Sequence, residues 1–231
     1  MDSKGVIGIV LCGIGIGVML FAASAPWYTI HDEGTVTLII KVSYTADKTL
    51  YPDKWTSSVT VGTSTSTDSS DYYSKFPDAG KTPKVGDVHN TIKTMTLISV
   101  FLAIMGIVLI GLTMFNRIKG SIAGWLVILF SLMMMLTPII YWLELPGAIA
   151  GDYSSANKEN PCPSFAGVKQ SSGPGYSLST TCGPGTGWTL SFVSFVLVML
   201  GGVVASRIEP ASPTITTAPS GYYVQIPDYR P

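Results

Sequence analysis

Four stretches of this chain carry no charged residue and are each long enough to cross a lipid bilayer as a helix. They cover residues 5–25, 94–115, 121–142 and 188–206. A helix needs about 20 residues to cross roughly 30 Å of hydrocarbon. The composition agrees: 12% of residues are charged and the mean hydropathy is +0.41, where soluble domains carry about 25% charged residues. Four helices without a charged face, in a chain of 231 residues, leave only lipid to cover them. The expected fold is therefore all-α membrane, a four-helix transmembrane bundle.

The first stretch also has the outline of a secretory signal, with Lys4 before it and Ala23-Ser24-Ala25 at its end. Its apolar run exceeds the 7–15 residues of a signal core, and Pro26 follows directly, so a retained span is expected. Orientation follows from the short turn at 116–120, where Arg117 and Lys119 stand without an anion. Cations next to membrane ends mark the cytoplasmic side, and Lys4 and Arg207 fall on that same side. Residues 1–4 and 207–231 are then cytoplasmic, 26–93 and 143–187 external, and the plasma membrane is the expected location.

The first external segment reads as strands. Over 35–44 Val36, Leu38, Ile40, Val42 and Tyr44 alternate with polar residues, interrupted only by Ile39, and 55–61 alternates likewise. Ala46-Asp47-Lys48 and Pro52-Asp53 supply turn chemistry between them. Pro26-Trp27-Tyr28-Thr29-Ile30 could begin a further strand directly off the first helix, giving a small extracellular antiparallel β-sheet above the bundle. Residues 62–72 are too polar to pack and are expected as a loop or hairpin tip. In the second external segment Cys162 and Cys182 lie on the oxidising side, and a disulfide between them is expected. Its loop entropy is worth on the order of 3 kcal/mol. Cys12 is a small apolar residue of the first span. Trp27, Tyr28, Tyr141, Trp142 and Trp188 gather at the outer ends of the helices, as an aromatic belt would.

The spans hold no Asp, Glu, Lys, Arg or His, which removes the groups that proton relays, ion-coupled transporters and voltage sensors place at depth. Gly13 and Gly17 have GxxxG spacing, which suits a dimerisation face or, more simply, close packing inside the bundle. In the proline-rich tail, Tyr223-Val224-Gln225-Ile226 fits the tyrosine-x-x-apolar pattern that clathrin adaptors bind, with Tyr223 and Ile226 as its anchors. No catalytic constellation, cofactor site, metal site or nucleic-acid-binding surface emerges. His31-Asp32-Glu33 could hold a metal weakly, but a solvated turn explains it as well.

The layout resembles the claudin and peripheral-myelin-protein superfamily: a long strand-bearing first external loop, a tiny cytoplasmic turn, a shorter second loop and a cytoplasmic tail. Pro26-Trp27-Tyr28 at the exit of the first helix and Gly-Pro-Gly-Thr-Gly-Trp-Thr-Leu over 183–190 add to the likeness. Residues 26–93 contain no cysteine and no Gly-Leu-Trp, both of which claudins carry there, so the chain resembles a distant claudin-like tetraspan. The resemblance implies a non-enzymatic protein of adhesion or membrane organisation. Its partners would be the lipid bilayer and other membrane proteins or copies of itself. The same fold also serves as an accessory subunit of channels and receptors; a self-assembled pore is a further reading.

Overall fold

The structure is a computed structural model that describes residues 3–37, 41–70, 84–115, 117–155 and 159–208. Four helices, α1 (Ser3–Ser24), α2 (Lys84–Met114), α3 (Gly120–Ser155) and α4 (Thr186–Ser206), are long and apolar enough to cross a membrane. They form a closed square in which α1 packs on α2 and α4, and α3 packs on the same two. Small residues let the axes approach. A Cβ on Gly8 would lie 3.3 Å from the Gly201 carbonyl oxygen, and one on Gly124 would strike the Ser206 backbone. Ser194 donates to the Gly15 carbonyl at 2.7 Å, tying α4 to α1.

Two helices outrun the expected spans. α2 begins at Lys84 rather than 94, and α3 continues past Trp142 to Ser155, through Pro138 and Pro146. Charges at Lys84, Asp87, Lys93, Glu144 and Asp152 end the hydrophobic windows there, yet the apolar periodicity continues. Val85, Val88, His89 and Ile92 are buried along one stripe, as are Leu145, Ala148, Ile149, Asp152 and Tyr153 along another. The carboxylate of Asp152 accepts the Lys84 and Val85 backbone N–H groups at 2.8 and 2.9 Å. These are two of the donors that every helix leaves without an internal partner at its start, so α3 caps α2.

Above the bundle lies one six-stranded antiparallel sheet of order β4-β3-β2-β1-β6-β5. Its strands are β1 (Tyr28–Thr37), β2 (Lys41–Leu50), β3 (Trp55–Val61), β4 (Ser64–Ser70), β5 (Gly167–Gly173) and β6 (Tyr176–Pro184). Three expectations change. The run 35–44 is divided between two strands, because Val36 pairs with Val42 and Thr37 with Lys41; its alternation survives because both halves keep their even positions on one face. Ala46-Asp47-Lys48 lies inside β2, with Asp47 opposite His31. The polar run after Val61 forms strand β4, entered through Gly62 at φ 59, which glycine adopts without strain. An edge strand open to water on both faces requires no apolar pattern.

Candidate functional site

A buried joint fixes the sheet to the helices. The joint starts at Trp27, whose indole N–H donates to the Ala22 carbonyl at 2.7 Å. Trp27 meets Tyr141 edge to face at 5.3 Å, and Tyr141 in turn meets His89 at 5.2 Å and Phe165 at 6.0 Å. Phe165 bridges Tyr28 at 5.3 Å and Trp188 at 5.4 Å, and the Trp188 indole N–H donates to the Pro138 carbonyl of α3 at 3.0 Å. Ile30, Leu50 and Trp55 from the sheet complete this core against Val85, Ile92, Leu145 and Ile149. Rings in these tilted and edge-on arrangements are favoured beyond the area they bury.

His89 is fully buried here. Its Nδ1 lies 2.8 Å from the Val85 carbonyl and its Nε2 3.0 Å from the Tyr141 hydroxyl. The carbonyl can only accept, so Nδ1 carries the proton and Nε2 accepts from Tyr141. Burial lowers the imidazole pKa to about 4, with the Val85 carbonyl opposing that shift in part. Burial likewise raises the Tyr28 phenol.

The expected disulfide is present: Cys162 and Cys182 are bonded, Cα–Cα 5.9 Å, and both are buried in the joint. It ties the approach to β5 against β6, which lies beside β1. The aromatic belt is corrected. Trp27, Tyr28 and Tyr141 have no exposure and Trp188 is half-buried, because the sheet and the helix extensions enclose them; Trp142 alone of the five is exposed, at 51%. Its counterpart on α3 is Trp125, 69% exposed, about 26 Å away at 1.5 Å per residue. Gly13 and Gly17 lie on the outer surface of α1, with nothing within 4 Å of where a Cβ would stand. The bundle does not use this pair; Gly8 and Gly15 face α4 instead. Tyr223 and Ile226 lie outside the described residues.

The two faces of the sheet differ. The outer face is hydroxylic, with Thr29, Thr45, Thr49, Thr56, Thr60 and Thr65 among its residues, and carries the His31–Asp47 pair at 2.5 Å. That hydrogen bond, aided by the Asp47, Glu33 and Asp32 charges, raises the His31 pKa. His31 and Asp32 point to opposite faces of β1, and Asp32 accepts from Thr180, so the triplet converges on no common point. The inner face is covered by the joint near the bundle. Farther out it exposes Val36, Val42, Val59, Val61 and Tyr176.

The residues that the hydropathy windows missed are His89, Asp152 and Phe165. The i, i+3, i+4, i+7 stripes of the helix extensions carry the signal for the first two; nothing local marks Phe165. No protein-family model and no curated protein matches the chain.

Proposed function

We propose that the chain is a claudin-like four-span membrane protein, without enzymatic activity, that acts in adhesion or membrane organisation through its sheet. The observation that carries this is the rigid joint. A sheet made from two separate loops is locked to the bundle by an aromatic core and a disulfide, and holds exposed valines beyond it. A fixed, water-facing platform with an apolar rim is what contact with another protein surface requires. In this reading the four spans cross the plasma membrane with both termini in the cytoplasm and the sheet outside.

The test is vesicle tethering. Full-length protein reconstituted into phosphatidylcholine liposomes, sheet outward, should cluster them in light scattering, and Val36→Asp with Val61→Asp should reduce clustering at unchanged protein content. Dispersed liposomes with correctly oriented protein would sink the adhesive reading. One observation favours the accessory-subunit reading instead: Gly13 and Gly17 are open on the outside of α1, where a partner helix could approach closely. A stable complex with a different membrane protein on mild extraction would support it.

A further inference from the structure

Among the described residues the sheet ends in two open edges, β4 and β5. All five pairings are antiparallel, so the outer two of six strands run in opposite directions. A second copy standing beside the first, in the same orientation, therefore offers its β5 to the first copy's β4 as an antiparallel partner. The joined sheet keeps one face inward throughout. With an odd number of strands the two edges would meet in parallel.

Open edges present unpaired N–H and C=O groups, which folds commonly blunt with proline, lysines or bulges. β4 (STSTDSS) and β5 (GVKQSSG) have seven residues each and no proline. Each carries a single charge, Asp68 in β4 and Lys169 in β5. Overlaid along their full length, the strands pair Ser70 with Gly167 and Ser64 with Gly173, and this one register sets Asp68 opposite Lys169. Both also lie on the inner face. Asp68 shares its row with Ser57, Lys48, Ile30 and Cys182; Lys169 shares the next inner-face row, with Thr180, Asp32 and Ala46. Asp68 is exposed and makes no ion pair among the described residues. Lys169 is held by Glu159 at 2.6 Å and by the Asn160 carbonyl at 2.9 Å.

We propose that copies of this chain join laterally in one membrane, β4 to β5, in the register that pairs Asp68 with Lys169. Six strands about 4.8 Å apart give a repeat of roughly 29 Å, which clears a four-helix bundle whose axes stand about 8–10 Å apart. The register displaces each copy by two residues, about 7 Å along the strands, so a strand lean of about 13° keeps neighbouring bundles level. Such a head-to-tail contact grows into a line or a ring. It acts within one membrane and does not depend on adhesion between two.

The test uses full-length protein in liposomes carrying Thr67→Cys with Gln170→Cys, directly opposed in this register on the outer face. Opposed Cα atoms stand about 4.5–5.5 Å apart, inside the range a disulfide bridges. Mild oxidation should give a ladder of dimers, trimers and larger species that thiols reverse. Either single variant should stay monomeric, and Thr65→Cys with Gln170→Cys, out of register, should give only background. In the ladder-forming variant Asp68→Lys should lower the cross-linked fraction about tenfold, as opposed charges become like charges, and adding Lys169→Asp should restore it. Monomers throughout, with the Cys162–Cys182 bond intact, would overturn the proposal. So would a dimer from Thr67→Cys alone, the mark of a symmetric contact, or a ladder indifferent to Asp68→Lys. Tethering of vesicles is read separately, so failure here leaves the adhesive reading standing.

Discussion

Within the spans the buried core consists of Cys12, Ala103, Ile110, Val127, Met134, Val198 and Ala205, with glycines at the helix contacts; in the joint it consists of Trp27, Tyr28, Trp55, Tyr141 and Phe165. Lipid around the four apolar helices and water around the sheet would select this difference. Lipid tails are as apolar as a leucine side chain, so burying bulk gains nothing there, and close approach of small residues holds the helices together. Above the bundle the alternative is water, and a buried aromatic side chain removes a large area from it. With the helices in lipid, the same chain would use dispersion contacts in one half and hydrophobic burial in the other.

The largest expected effect is in the joint. Trp27→Ala should cost about 3–5 kcal/mol, and in a thermal melt in detergent the sheet signal should be lost before the helical signal. Simultaneous loss at the wild-type temperature would refute the division into two cores. The second effect is also in the joint and depends on pH. Above pH 6.5 His89 is neutral in folded and unfolded chains alike. As pH falls from 6.5 toward the folded value of about 4, the unfolded chain takes up a proton that the folded one refuses. Stability should therefore drop by about 3 kcal/mol across that window, and His89→Gln should remove that slope in denaturant titrations.

The span core should be sensitive to added volume rather than to lost volume. A Cβ on Gly202 would stand 3.0 Å from the Gly124 carbonyl and the Ile128 side chain, so Gly202→Leu should cost about 1–3 kcal/mol through overpacking. The smallest effect is expected at Gly17. Nothing lies near it, and Gly17→Ala should change stability by no more than about 1 kcal/mol, in the favourable direction that helix propensity dictates. A large loss there would mean that α1 is covered by a neighbour.

The four apolar helices are legible in the sequence because hydropathy over twenty residues is a strong signal and the interiors of those windows carry no charge. The helix extensions are not, since Lys84, Asp87, Glu144 and Asp152 break the window while leaving the helical stripe intact. Strand β3 is read correctly from alternation between turn residues. β1 and β2 are misdivided because 38–40 hold none of the glycine, proline or asparagine that usually marks a turn. β5 and β6 escape notice because Ser, Thr and Gly dominate them, and their pairing with β1 is a long-range fact. The disulfide is legible from compartment and spacing. The burial of Tyr28 and Tyr141 is not, because a ring near a membrane boundary looks the same in sequence whether lipid or protein covers it.

β6 lies beside β1 inside the sheet, although it is made far later in the chain. A ribosome that has not yet reached β5 has therefore produced a four-stranded ribbon whose edge is β1, with Tyr28 and Ile30 awaiting cover. Completion of the sheet is a late event in synthesis, and any delay there lengthens the time for which an interior strand of the finished sheet has one edge bare.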